Sequence, residues 1–87
     1  MGTPSLDGTA NGSDEERLDR ILAVTREVLR DPGVAADDDL ADHGGTSLSI
    51  LRIVAMANRA LHLDIDPREL DGAVTARNLA RAARPLG

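Results

Sequence analysis

Hydrophobic positions recur at helical spacing in three stretches of the chain, and each stretch predicts a helix with one apolar face. The first predicted helix begins at a capping box, Ser13-Asp14-Glu15-Glu16, and ends near Arg30. Its apolar face comprises Leu18, Ile21, Leu22, Thr25, Val28 and Leu29. Asp31-Pro32-Gly33 then stops the helix, because proline and glycine both oppose its continuation. The preceding residues 1–12 are almost entirely small and polar, so they are predicted to form a disordered tail.

The second predicted helix runs from Ser47 to Leu61 and is apolar over a wide arc. The arc comprises Leu48, Ile50, Leu51, Ile53, Val54, Ala55, Ala57 and Leu61. Asn58 also falls within the arc, where the sequence offers no evident partner for its amide. The remaining face contains Ser49, Arg52, Met56 and Arg59. An adaptable methionine between two arginines indicates a docking position for a partner protein, and the alternative is a partly covered surface methionine.

A long loop, residues 31–46, connects the first two helices, with Val34 and Leu40 as its predicted anchors in the core. The run Asp37-Asp38-Asp39 lacks the alternating ligand spacing of a calcium loop and is interpreted as a solvated acidic turn.

Two further helix starts follow. Asp66-Pro67-Arg68-Glu69 predicts a short third helix of about one to two turns, because Asp caps, Pro suits the first turn and Glu closes a capping box. Thr75 is the predicted cap of a last helix that ends at Pro85. The sequence shows no strand alternation of useful length and no internal repeat. The predicted fold class is all-α, a small bundle of three main helices and one short helix spanning residues 13–84, with 85–87 as the C-terminal end.

Composition narrows the possible functions. The 87 residues suffice for one small domain, and without Trp, Tyr or Phe its core must consist of aliphatic residues and methionine. Without cysteine there is neither a disulfide framework nor thiolate chemistry, and His43 and His62 are too few for a histidine-built metal site, so no metal is predicted. The net charge of −5 argues against nucleic-acid binding. Residues 1–42 contain 11 acidic and 4 basic side chains, against 4 acidic and 6 basic in residues 43–87.

The chain also lacks features that would place it in or across a membrane. No window approaches the roughly 20 apolar residues of a spanning helix, and the N-terminal residues lack the basic start and apolar stretch of a signal peptide. We therefore expect a cytoplasmic monomer that binds neither membranes nor nucleic acid.

Chemistry is most expected at the junction before the second helix, Asp42-His43-Gly44-Gly45-Thr46-Ser47. Two glycines leave Ser47 clear of neighbouring side chains, and the following helix N-terminus favours an attached phosphate. The alternative is that the hydroxyl is only a helix cap. As a catalytic nucleophile Ser47 would need a base, and His43 is the one nearby candidate; however, the nucleophile motif G-x-S-x-G and the nucleotide loop GxxxxGK[ST] are both absent. We interpret His43 as a surface-loop histidine and predict no catalytic residue.

The stretch Leu40 to Leu48, LADHGGTSL, resembles the phosphopantetheine attachment motif of carrier proteins. A Gly-Gly pair followed one residue later by Ser-Leu resembles the peptidyl carriers of nonribosomal peptide synthesis more than fatty-acid-type acyl carriers, which more often read Gly-x-Asp-Ser-Leu. The resemblance extends over roughly residues 14–83, including the segment into the short third helix and the start of the last one. The chain begins with Met and ends soon after the last helix, which suggests a freestanding (type II) carrier.

This resemblance implies a covalent 4'-phosphopantetheine cofactor on Ser47, with Gly44, Gly45 and Thr46 as the flanking loop. The implied partners are a phosphopantetheinyl transferase, an adenylation or other acyl-activating ligase, and downstream condensation or tailoring enzymes. Leu48, Arg52, Met56 and Arg59 are the docking residues that we predict for them. Three hypotheses remain open: a peptidyl carrier, an acyl carrier of a polyketide or other acyl pathway, and a helical interaction module in which Ser47 is only a cap.

Overall fold

Three α-helices make up most of the protein, as the hydrophobic pattern predicts. The computed structural model describes the backbone of residues 3–70 and 72–86 and the side chains of residues 14–70 and 72–86. Helix α1 spans Thr3–Leu29, α2 spans Ser47–Leu61 and α3 spans Ala76–Ala82. Single 3₁₀ turns lie between them, at Leu40–His43 and Pro67–Glu69. The predicted all-α class and small helical bundle are confirmed.

The start of α1 differs from the prediction. Helical backbone extends from Thr3 through Ser13, so the predicted start at the Ser13 capping box is wrong. A capping box satisfies free N–H groups only where no preceding turn supplies carbonyl acceptors, and here the helical backbone continues on its N-terminal side. The side chains of residues 1–13 lie outside the described residues, as does Gly87 at the C-terminal end. The division into a tail of residues 1–12 and a domain of residues 13–84 therefore stays a prediction.

The core lies where α1 contacts both α2 and α3. Its largest fully buried side chains are Ile21, Val34, Leu40, Ile53 and Leu79, so each helix and the long loop contribute. Val34 and Leu40 are thus confirmed as the loop's anchors. Thr25 is also fully buried, and its hydroxyl donates to the carbonyl oxygen of Ile21 at 2.8 Å, which removes the cost of burying a polar group.

Helix α2 has the predicted bounds, but it buries a narrower arc than predicted. Ile53, Val54 and Ala57 are its buried residues, whereas Leu48 and Leu51 are 63% and 55% exposed and Ala55 is also exposed. A domain this thin covers only one side of an α2 that is apolar over more than one side. Asn58 finds its partner in the segment after the helix, accepting from the Ile65 N–H at 2.9 Å through Oδ1.

The C-terminal part closes the fold with short elements. The predicted third helix is a single 3₁₀ turn, with Asp66 as its cap. Thr75 caps α3 as predicted, since its hydroxyl accepts from the Asn78 N–H at 3.0 Å. The sequence did not reveal a two-residue pairing in which strand β1, Leu63–Asp64, runs antiparallel to strand β2, Arg84–Pro85. Strands this short have no alternation to detect.

Candidate functional site

Ser47 occupies the first turn of α2, but it does not cap the helix. Thr46 is the cap: its backbone is extended, and its hydroxyl accepts from the Ser49 N–H at 3.2 Å. The side chain of Ser47 is exposed, and among the described residues its hydroxyl has no hydrogen-bond partner. The hypothesis in which Ser47 is only a helix cap is therefore wrong, because the adjacent threonine performs that role.

The two glycines before Ser47 serve different purposes. Gly44 adopts φ 81°, a left-handed conformation that follows the 3₁₀ turn, and a Cβ added there would meet nothing within 4 Å. Gly45 does not have this conformation, but a Cβ added to it would lie 2.6 Å from the carbonyl oxygen of Leu40. The Gly45 N–H donates to that same oxygen at 2.8 Å. A side chain at Gly45 would therefore collide with the protein's own loop, in addition to standing in front of Ser47.

Contacts with α1 and with the start of α3 hold the loop in front of Ser47. The Leu40 N–H donates to the Val74 carbonyl at 2.9 Å, and the Arg77 N–H donates to the Ala36 carbonyl at 3.0 Å. From α1, the Arg26 Nε donates to the Val34 carbonyl at 2.9 Å. A long loop with few contacts would be mobile, whereas these three hydrogen bonds, one of them from the Arg26 side chain, fix its path.

The carboxylates of the acidic turn Asp37-Asp38-Asp39 remain accessible to solvent, and each of them also has a partner in the protein. Asp37 forms an ion pair with Arg77 at 2.6 Å, which holds the pKa of Asp37 below its usual range. Asp38 accepts from the Ala35 N–H at 2.8 Å and also contacts His43, and Asp39 caps the first 3₁₀ turn by accepting from the Ala41 N–H. All three carboxylates therefore shape the loop. Among the described side chains, no group of three or more potential ligands converges on a metal site.

His43, which we predicted to be a surface-loop histidine, is partly buried between two carboxylates. Its Nδ1 lies 2.7 Å from Asp31 Oδ2, and its Nε2 lies 3.1 Å from Asp38 Oδ2. The hydrogen bond to Asp31 raises the pKa of His43. Because both ring nitrogens already face carboxylates, His43 is not placed to act as a base toward Ser47.

The four predicted docking residues, Leu48, Arg52, Met56 and Arg59, are all exposed on α2, and Met56 is 40% exposed. Met56 lies between two shallow grooves. One, of about 420 Å³, is lined by Glu27 and Val28 of α1, by Arg30 just beyond it, and by Arg52, Ala55 and Met56 of α2. The other, of about 290 Å³, is lined by Ala55, Met56, Arg59 and Ala60.

Leu51 and Arg30 lie close to the four predicted docking residues, but they are not among the residues that we predicted from the sequence. Leu51 lies one turn after Leu48 along α2, and Arg30 lies across the groove from Arg52, beyond the end of α1. The exposure of Leu51 could have been predicted from the width of the apolar arc of α2, since a small domain cannot cover an arc that wide. The position of Arg30 beside α2 could not have been predicted from the sequence, because it depends on how α1 packs against α2.

A family model described as "Phosphopantetheine attachment site" matches residues 19–83, which is most of the chain and includes the loop, Ser47 and all of α2. No curated protein matches the chain, and neither does any solved structure. No helix within the described residues is sufficiently long and apolar to cross a membrane.

Proposed function

The chain belongs to the phosphopantetheine attachment family, and on that basis we propose that it is a peptidyl carrier protein of nonribosomal peptide synthesis that carries its arm on Ser47. Family membership makes the protein a carrier with a covalent 4'-phosphopantetheine. The attachment residue, the type of cargo and the docking surface are our proposals.

The observation that supports Ser47 is its exposed hydroxyl in the first turn of α2, next to a threonine that already caps the helix. A hydroxyl at this position can be esterified without breaking a hydrogen bond among the described residues. Gly44 and Gly45 present no side chain to an approaching enzyme, and the helix N-terminus favours the negative charge of a phosphodiester. Ser49, the next hydroxyl, is less suitable because it is partly buried and contacts the Thr46 hydroxyl at 3.2 Å.

The division of labour follows from this arrangement. A phosphopantetheinyl transferase moves the arm of coenzyme A onto the Ser47 oxygen. The new phosphate ester bond forms as the phosphoanhydride bond of coenzyme A breaks, so that adenosine 3',5'-bisphosphate leaves and the serine loses its hydroxyl proton. The bound arm supplies a thiol that holds an aminoacyl or peptidyl group as a thioester. The protein itself contributes an exposed serine, a fixed loop and a docking face. Tethering raises the effective concentration of the cargo at each partner site.

Two features favour a peptidyl over an acyl cargo. One is the Gly-Gly-Thr-Ser-Leu form of the attachment motif. The other is the exposed face of α2, where Arg52 and Arg59 flank Met56, because partners that dock on an acidic helix would meet the wrong charge there. An acyl carrier of a polyketide or other acyl pathway is the second candidate, since it would share the arm and the attachment chemistry. Cytoplasmic location and the freestanding, monomeric state remain predictions from the sequence.

Arm attachment is tested with coenzyme A, a promiscuous phosphopantetheinyl transferase and intact-mass measurement. The parent protein and Ser49→Ala should gain one arm, whereas Ser47→Ala should gain none and retain its helical circular dichroism spectrum. Modification of the Ser47→Ala protein would show that the attachment residue has been misassigned. Loading of the arm-bearing protein by amino-acid-activating and acyl-activating ligases then distinguishes the two cargo classes.

Docking is tested by ligase loading kinetics. We expect Met56→Ala and Arg52→Glu to raise the apparent KM for the carrier without changing its fold, because exposed substitutions usually alter stability by no more than about 0.5 kcal/mol. Arg81→Glu, an exposed arginine on α3, is the matched control for the charge change. The Arg52→Glu effect should diminish at high salt. If both α2 variants load like the parent, docking takes place on another surface.

A further inference from the structure

His43 joins two parts of the chain that are separated in sequence. Asp31 directly follows α1 and its short C-terminal turn, Asp38 lies in the middle of the loop, and His43 ends the 3₁₀ turn immediately before Gly44. The imidazole contacts Asp31 at 2.7 Å on one side and Asp38 at 3.1 Å on the other. The ring thus ties the end of α1 and the acidic run to the segment that leads into Ser47.

This geometry requires a particular protonation state. A carboxylate oxygen only accepts hydrogen bonds, and a neutral imidazole has a single N–H to donate. With carboxylates within hydrogen-bonding distance of both ring nitrogens, both contacts are favourable only when His43 is the doubly protonated imidazolium. Loss of one proton would place a nitrogen lone pair against one carboxylate, and that contact would become repulsive.

We propose that His43, Asp31 and Asp38 form a proton-dependent clamp that positions the attachment loop for modification of Ser47. His43 is a positioning residue in this proposal, acting through the loop that follows it. The proposal rests on Ser47 as the proposed attachment residue. The loop geometry supports it, since the Gly44 and Gly45 N–H groups donate to Ala41 and Leu40 carbonyls within the same 3₁₀ segment. Displacing His43 would therefore move the two residues that precede Thr46.

The charged groups around the clamp determine its pH dependence. Asp31 and Asp38 contact the ring, while Asp39 and Asp42 lie in or beside the same turn. On neighbouring elements, Arg26 of α1 donates to the Val34 carbonyl and Arg77 of α3 pairs with Asp37, so each has another partner. The immediate charge around His43 is thus acidic and favours the imidazolium.

His43 and Asp31 stop contributing to the clamp at opposite ends of the pH range. The pKa of His43 is raised, chiefly by its hydrogen bond to Asp31, so its contribution is complete below the ordinary histidine value of about 6.5 and disappears as the pH rises through the raised pKa. The pKa of Asp31 is lowered, chiefly by the same bond, so its contribution disappears only as the pH falls through that lowered value. The clamp is complete between these limits.

The first test observes the clamp directly, without any transferase. In ¹⁵N-labelled His62→Gln protein, the only remaining histidine is His43, so its ring nitrogens can be followed by NMR across the pH range. We expect both nitrogens to be protonated at mildly acidic pH, and the backbone amides of Gly44, Gly45 and Thr46 to shift with the same midpoint. Asp31→Asn should lower that midpoint more than Asp38→Asn, because the contact to Asp31 is shorter.

The second test measures initial rates of arm attachment at carrier concentrations well below KM. The ratio of the parent rate to the His43→Gln rate removes the transferase's own pH dependence. We expect a ratio of roughly threefold to tenfold at mildly acidic pH, less than the roughly hundredfold that a 1 Å misplacement costs at a reacting centre, falling to one as the pH rises through the His43 midpoint. Asp38→Asn retains the shorter contact, between His43 and Asp31, so its rate of arm attachment should lie between the rates of the parent and of His43→Gln.

The outcomes separate this proposal from the assignment of Ser47. If the parent is not modified at Ser47, the attachment residue is wrong, and the NMR measurements still test the clamp. The clamp would be overturned if Asp31→Asn leaves the titration midpoint of His43 unchanged. It would also be overturned if the amide shifts of Gly44, Gly45 and Thr46 do not change as His43 titrates. A rate ratio that stays constant with pH would show that His43 does not control presentation of Ser47. Circular dichroism of each variant verifies that the helices remain folded.

Discussion

Replacing Gly45 by alanine should destabilise the protein much more than the same change at Gly44. The added Cβ at position 45 would lie 2.6 Å from the Leu40 carbonyl oxygen, 3.0 Å from the carbonyl carbon and 3.2 Å from the Leu40 Cβ. Leu40 cannot easily yield, because its side chain is fully buried and its N–H is bonded to Val74. The backbone must separate by several tenths of an ångström, and this weakens the 2.8 Å bond from the Gly45 N–H to the same oxygen.

The magnitude follows from these two effects. Forcing extra volume into a packed site costs about 1–3 kcal/mol, and weakening one backbone hydrogen bond costs about 0.5–1.5 kcal/mol. The total of roughly 1.5–4.5 kcal/mol is a large part of the roughly 5–15 kcal/mol that stabilises a typical domain. Gly44→Ala should cost only about 1–2 kcal/mol, because its φ of 81° strains an alanine but the added Cβ meets nothing within 4 Å.

The comparison is best made by urea and thermal unfolding followed by far-ultraviolet circular dichroism, because the chain has no Trp, Tyr or Phe for fluorescence. For a domain of this size, each 1 kcal/mol lowers Tm by roughly 4–8 °C. Gly45→Ala should therefore melt well below Gly44→Ala. If the two variants unfold at the same midpoint, or Gly44→Ala is the less stable, then the close approach to Leu40 does not explain the glycine at position 45.

Two further substitutions test other parts of the structure. Thr46→Ala should lower the free energy of unfolding by about 0.5–2 kcal/mol because it removes the α2 cap, and Ser47→Ala should lower it less. If Ser47→Ala has the lower Tm of the two, Ser47 and not Thr46 caps the helix. Asn58→Ala should cost about 1–3 kcal/mol because it leaves the Ile65 N–H without its 2.9 Å acceptor, and an unchanged Tm would show that water replaces the amide.

The sequence predicted local features of the fold most accurately. The bounds of α2 and the cap at Thr75 depend on residues within one or two turns of each other, where side-chain chemistry and backbone preference act together. The capping box at Ser13 shows the limit of this reasoning, since a favourable start signal does not prevent a helix from continuing through it. The anchors Val34 and Leu40 were predictable because an isolated apolar residue in a polar loop has few reasons to be there except burial.

The contacts that shape the site were not predictable in the same way. Arg77 reaches Asp37 across 40 positions of sequence, and His43 reaches Asp31 across 12. Composition shows that acids and bases are present, but only the packing of α3 and α1 around the loop decides which of them meet. The close approach at Gly45 was not predictable for the same reason, because the atom that excludes a side chain belongs to Leu40, at the start of the preceding 3₁₀ turn.

The separation of roles between Thr46 and Ser47 explains how this protein can accept a large group without loss of structure. A cap must present its hydroxyl oxygen to the helix N–H groups, whereas an attachment residue must present it to another molecule, and one side chain cannot do both. In this chain Thr46 performs the first task and Ser47, exposed in the first turn, is free for the second. If Ser47 is the attachment residue, as we propose, its modification leaves in place the capping bond to Ser49 and the contacts that hold the loop to α1 and α3. We therefore expect the arm to change what the carrier holds while the helices that present it keep their packing.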